Sequence, residues 1–258
     1  MKTKRLFILA AIICIASLFS VDLAYAYHPV SPYAFCNGNP IRYVDPNGMD
    51  VYRYDDKTGE MILFEKTEDN FDRIGKFKYD KKTDTYTLKT NKQGEARTRM
   101  DNIEKGILSD GMNFMVNDNS WAVGEKGQPT VAGFQDFAVG FAEMINKEVS
   151  GYYLSNPQAP NTVNTIYMGR HVNNTATKSH KGNLWGHLPN MQFNMQVHTD
   201  WHTHPTYGHS DADRTRPSGL YDGSGDIKSK NIALGQPHPY NRPLKFMILT
   251  RGYAPIYY

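Results

Sequence analysis

Apolar positions in this chain follow two different periods. Phe134, Phe137, Ala138, Phe141, Ala142 and Ile145 stand at i, i+3, i+4, i+7, i+8 and i+11. That spacing lays one apolar stripe along a helix. Glu143 falls on the opposite face and is expected to be solvated. Between 193 and 202 the period becomes two. Phe193, Met195, Val197, Thr199 and Trp201 alternate with Asn194, Gln196, His198, Asp200 and His202. Alternation of this kind predicts a strand with one face on a core. Pro205 has no N–H to donate, so pairing should end there. The run Glu148-Val-Ser-Gly151-Tyr-Tyr-Leu154 follows the helix and is rich in β-branched and aromatic residues. It predicts a second strand, which Glu148 opens at the seam between helix and sheet.

Elsewhere the pattern is weaker. Residues 50–95 read as a small β-meander, with similar turns at Tyr54-Asp-Asp-Lys-Thr-Gly and Tyr79-Asp-Lys-Lys-Thr-Asp. Met100, Ile103 and Ile107 predict a short helix over Arg97–Leu108. Residues 109–130 are rich in Gly, Asn and Asp and read as loop.

The first 26 residues have the layout of an export signal. Lys2, Lys4 and Arg5 precede an apolar run from Leu6 to Phe19, and Ala24-Tyr25-Ala26 has the form of a cleavage site. The apolar run is short for a membrane span, so cleavage is expected rather than anchoring, with no stable span afterwards. The protein is then expected in the periplasm or outside the cell. One cysteine, Cys36, would remain, which excludes an internal disulfide. The formal charge is +3, and without Lys2, Lys4, Arg5 and Asp22 it drops to +1. No basic stripe appears, so nucleic acid is not the indicated partner.

The densest chemistry lies at His202-Thr-His204-Pro205. On a strand, histidines two apart project from the same face and can share one ion. A catalytic zinc needs three protein ligands and an open position for water. Three acids are candidates for the third ligand: Asp213, Asp222 and Asp226. The run Ile-Lys-Ser-Lys-Asn-Ile-Ala-Leu after Asp226 can form a helix, whereas Asp213 is followed by Arg-Thr-Arg-Pro. His198 and Asp200 share the polar strand face and are candidates for supporting positions. His171, His180, His187, His209 and His238 lie in loop-rich segments, and the polar stretch 171–190 is a candidate rim for the site.

Two resemblances follow from these residues. Ser31-Pro-Tyr-Ala-Phe-Cys-Asn-Gly-Asn-Pro40-Ile-Arg-Tyr-Val-Asp45-Pro46-Asn-Gly48 resembles the end of an Rhs/YD-repeat core. In that family it separates a β-shell from a variable C-terminal effector. Glu148-Val-Ser-Gly151 resembles the E-x-x-G of JAB/JAMM (MPN) metallopeptidases, and His202-Thr-His204-Pro205 their H-[ST]-H-P. Asp226 resembles the last ligand of their S-x-x-D, and Phe246 to Tyr258 their closing hairpin. The nearest style is the JAB-like toxin domain found behind Rhs cores.

This second resemblance implies an α/β fold: a mixed β-sheet with flanking helices over 96–258, behind the small β-rich region 50–95, the linker 27–49 and the leader 1–26. It implies Zn2+ held by His202, His204 and Asp226, with Glu148 as general base and acid. Ser218 or Ser224 would support the oxyanion, since Gly223 occupies the motif's serine position. It implies a protein or peptide substrate, and toxin kinship implies an immunity protein as partner. Two other readings remain open at this point. One is a non-enzymatic envelope binding module whose metal site is structural or empty, with His198 or Asp200 as a fourth ligand. The other is hydrolysis of a cell-wall amide.

Overall fold

Helix α1, Val131–Ile145, carries the predicted apolar stripe and buries Phe134, Phe137, Ala138, Phe141 and Ala142. Thr130 caps its N-terminus by accepting from Gly133 N, and Asn146 closes it in the left-handed conformation at φ 54°. The computed structural model describes residues 50–67, 70–124, 126–171, 195–207, 210–236 and 242–258. The leader expected over 1–26, the linker expected over 27–49 with Cys36, the bulk of the expected 171–190 rim and His180, His187, His209 and His238 lie outside them. The architecture is mixed α/β and strand-rich, with three sheets and few helices.

The stripe of α1 packs on a six-stranded sheet. Its strands are β7 (Asn119–Ala122), β8 (Ser150–Asn156), β9 (Ala159–Met168), β10 (Gln196–Thr203), β11 (Lys245–Leu249) and β12 (Ile256–Tyr257). They run in the order β12-β11-β10-β8-β9-β7. Only β10 and β11 are parallel; the other neighbours are antiparallel. Trp201 of β10 meets Phe134 edge-on, with ring centres 5.5 Å apart. Each fully buried aromatic of this kind contributes roughly 1.5–3 kcal/mol. Gly151 of β8 has a plain steric reason: a Cβ there would sit 1.9 Å from the carbonyl oxygen of Tyr167 in β9.

Residues 50–95 differ from a meander. Strands β1 (Asp50–Tyr54), β2 (Met61–Glu65), β3 (Phe71–Gly75) and β6 (Thr98–Glu104) form a sheet ordered β2-β1-β3-β6, with β1 and β3 parallel. Having reversed through β2, the chain returns on the far side of β1, so β3 points the same way as β1. Period-two patterning predicts strands but not their partners. Asp50 and Asp72 are register partners in the parallel pair, and Lys105 Nζ lies 2.7 Å from each. Burial, only partly offset by Lys105, raises the Asp72 carboxyl to about 6. Strands β4 (Phe77–Asp80) and β5 (Thr85–Leu88) make a separate hairpin.

Three expectations are corrected. Arg97–Leu108 is not a helix: β6 occupies Thr98–Glu104, interrupted by Asn102 at φ 56°. Met100 and Ile103 mimic helical spacing because this irregular strand breaks simple alternation. The 109–130 segment contains β7, an edge strand anchored by the buried Trp121. In β10 the alternation is broken by a β-bulge at His198, between Val197 and Thr199. Val197 therefore packs with Leu154 and Tyr167, while Trp201 faces α1. Every residue of β10 is buried, so its polar face is covered as well.

His171 also departs from its bland reading. It is buried beside Phe141, and its Nε2 lies 2.8 Å from the Tyr54 hydroxyl. Burial, assisted by the Lys147 charge, pushes its pKa down to about 4. The unfolded chain then takes up a proton first, at its ordinary value near 6.5. Stability supplied by the neutral ring is complete above pH 6.5 and is lost as pH falls towards 4. The expected loss is on the order of 3 kcal/mol. Denaturant titrations at pH 7 and 4.5 on the wild type and His171→Gln check it: the variant should lose distinctly less stability across that interval.

Candidate metal centre

The site forms where the end of β10 meets the loops that follow α1 and precede a third helix. His202 is the penultimate residue of β10, and His204 N still donates to Leu249 O of β11. Thr203 between them faces the other way. Its Oγ1 accepts from Val149 N at 2.9 Å, and its own N donates to Val149 O. The middle residue of the H-x-H thus fastens the histidine strand to the segment that carries Glu148. This role was not read from the sequence, although a hydroxyl at that position is a usable signal.

His202 Nε2 and His204 Nε2 lie 3.0 Å apart. The other ring nitrogen of His204, Nδ1, is 3.1 and 3.2 Å from the carbonyl oxygens of Asp213 and Arg214. Carbonyls only accept, so Nδ1 carries a proton, and loss of the second proton from Nε2 frees its lone pair for a cation. Thr250 Oγ1 donates to His204 O at 2.7 Å and accepts from the buried Arg214, which fixes the backbone there.

Asp226 completes the set. Helix α2 spans Asp211–Arg214 and α3 spans Gly225–Leu234, so Asp226 sits in the first turn of α3. Its Oδ2 is 3.4 Å from His202 Nε2 and 3.6 Å from His204 Nε2. One ligand atom from each of the three residues falls within 4.8 Å of the others. The Asp213 carboxylate instead closes the capping box of α2 with Ser210. Asp222 is fully exposed and accepts from Ser224 N.

The two candidate serines occupy different places. Ser218 N donates to Asp226 Oδ2 at 2.7 Å, and Ser218 Oγ accepts from Asp226 N at 3.0 Å. Ser218 thereby holds the aspartate, and it shares a pocket with Glu148 and His204. Gly225, at φ 51°, makes room for it, because a Cβ would fall 2.1 Å from Ser218 Oγ. Ser224 is the N-cap residue of α3 and stands beside Asp222.

Glu148 lies between the αL cap of α1 and β8, which starts at Ser150, two residues beyond the strand start expected at Glu148. Its Oε1 is 3.9 Å from His204 Nε2, beside the donor cluster rather than within it. Glu143, read as solvated, accepts from Thr206 N at 2.9 Å and from its Oγ1 at 2.6 Å. It pins the loop after Pro205 to α1. The bulge turns His198 Nδ1 towards Thr199 Oγ1 at 2.7 Å, and His198 is not part of the donor cluster. Asp200, Lys230 and Tyr258 line a small pocket with His202 and Asp226.

Electrostatics favour a cation here. Burial would raise the Asp226 carboxyl, but hydrogen bonds from His202 and His204 outweigh it and hold the group far below the usual carboxylate range. Burial would lower His204, yet the Asp226 hydrogen bond and the Glu148 charge raise it overall. A proton therefore competes with a metal ion for these donors, and metal binding weakens as pH falls. Burial, then the charges of Asp226 and Asp200, keep the Tyr258 hydroxyl protonated. Two imidazoles and one carboxylate, brought together with His204 Nδ1 engaged from behind, form a donor set that could hold a metal ion. Searches against protein-family models, curated proteins and solved structures return no match.

Proposed function

We propose that this chain is a zinc-dependent hydrolase of peptide or isopeptide bonds, an exported effector of the Rhs-associated, JAB/JAMM-like kind. The observation that carries the reading is the convergence of His202, His204 and Asp226, with Glu148 3.9 Å from His204 and outside the donor set. The helix, glutamate strand, histidine strand, aspartate helix and closing strands occur in the order that the resemblance implies. Among the described residues the cluster has three donors, and a three-donor site with an open position is the arrangement of catalytic rather than structural zinc. Zinc at this point would supply Lewis acidity and a water whose pKa is lowered towards roughly 7.

The chain's own residues then divide the work. Glu148 takes a proton from the attacking water and returns it to the leaving nitrogen, which otherwise departs as an unstable amide anion. Asp226 lends negative charge to the donor set, and Ser218 keeps its carboxylate aimed. Tyr258, protonated and lining the His202 side of the site, is available as a hydrogen-bond donor to substrate.

The test is zinc content measured together with hydrolysis. Purified protein should hold about one zinc per chain. A chelator should abolish cleavage of a mixed peptide and isopeptide library, and added zinc should restore it. Folded protein without metal, or zinc-loaded protein without hydrolysis, would overturn the reading. Tight partner binding with no hydrolysis would replace it with the binding-module reading.

A further inference from the structure

Two pockets flank the donor cluster, and Glu148 lines both. The pocket on the His202 side has a volume of about 160 Å3, and the pocket on the His204 side about 390 Å3. The larger one reaches the lower end of the roughly 300–1,000 Å3 typical of ligand sites. Its outer wall comes from the segment between α2 and α3 and includes Arg216, Leu220 and Tyr221.

The arginines of this segment have different surroundings. Arg214 is buried against Asp211, Thr250 and the carbonyl of Arg251. Arg216 is exposed and lines the pocket, with no hydrogen bond or ion pair among the described residues. Of the two acids that line this pocket, Asp213 has its carboxylate engaged by Ser210, and Glu148 stands beside His204. Leu220 is 51% exposed and Tyr221 90% exposed. A guanidinium beside two large solvent-facing side chains, at the edge of a pocket that touches the donor cluster, matches a ligand group that is anionic at its tip and apolar along its stem.

We propose that Arg216 is a specificity-determining residue, and that the larger pocket takes a substrate residue bearing a carboxylate, with Leu220 and Tyr221 covering its stem. The inference rests on the hydrolase reading for the position of the scissile bond. A charge-assisted pair of this kind corresponds to roughly a tenfold preference or more.

The experiment uses zinc-loaded full chain and synthetic peptides carrying Glu, Gln or Lys at each of the two positions on either side of the cleaved bond. Wild type should favour Glu over Gln about tenfold in kcat/KM at one position. Arg216→Ala should remove that ratio, and Arg216→Glu should turn it towards Lys, both with wild-type zinc content. An unchanged Glu-to-Gln ratio in both variants would overturn the proposal. If wild type cleaves none of the peptides, the hydrolase reading fails separately. Calorimetric binding of the same peptides then decides the pocket: loss of Glu preference in Arg216→Ala supports it, and no Glu preference, or one that survives the substitution, refutes it.

Discussion

His204→Ala should leave a folded protein that no longer retains zinc and has no hydrolytic activity. The imidazole supplies one of three converging donors, and its Nδ1 is already satisfied by the Asp213 and Arg214 carbonyls. Losing an outer partner of a ligand typically weakens metal binding about 10–100-fold. Losing the ligand itself should exceed that. His202→Ala should behave alike, because Asp226 Oδ2 contacts both rings. Asp226→Ala should join them, whereas Asp222→Asn should keep its metal, since Asp222 lies in solvent beside Ser224. Elemental analysis on protein checked by circular dichroism separates the two groups. Normal zinc in His204→Ala would remove the proposed centre.

Glu148→Gln should give the opposite combination: metal retained, chemistry lost. The side chain stands 3.9 Å from His204 Nε2 and lies outside the three-donor cluster. Glutamine keeps the size and one hydrogen-bond acceptor but cannot take a proton. General acid–base groups contribute about 10² to 10⁴-fold, so kcat should fall by that factor. Zinc content and turnover measured on the same preparation decide it. Full turnover in Glu148→Gln would assign the proton transfers to another group, and loss of zinc would make Glu148 a ligand.

What could be read in the chain, and what could not, follows from how local each determinant is. The stripe from Phe134 to Ile145 is a property of one helix, and the helix forms where the stripe lies. The histidine strand and the helix after Asp226 are equally local. The bulge at His198 is not, because it depends on how β10 registers against Leu154 and Tyr153 of β8. Met100, Ile103 and Ile107 suit either a helix or an irregular strand, and pairing with β3 decides in favour of the strand. At the site, His202 and His204 were legible from spacing alone. The choice of Asp226 over Asp213 came from the resemblance, because a helix start alone does not separate them: Asp213 lies in α2 and Asp226 in α3. Ser218 and Ser224 could not be separated in the sequence. Their difference arises from a loop that brings Ser218 onto Asp226 eight residues away. Glu143 keeps part of its exposure, but its bonds to Thr206 depend on a distant loop that returns to the helix.

The four-stranded sheet has an implication for how such a chain could be reshuffled. Its fourth strand, β6, lies beyond residue 95, and Glu104 at its end receives Thr130 N and Oγ1 at the cap of α1. Tyr54 of β1 stacks edge-on against Phe141, and Met61, Ile74 and Ile103 share one core with Phe134 and Trp201. A recombination crossover near residue 95 would divide a sheet and open that core, leaving neither product with a covered apolar face. A crossover that spares this sheet would have to pass upstream of Asp50. The small β region is then inherited with the His202, His204 and Asp226 cluster as one piece, not as a detachable cassette.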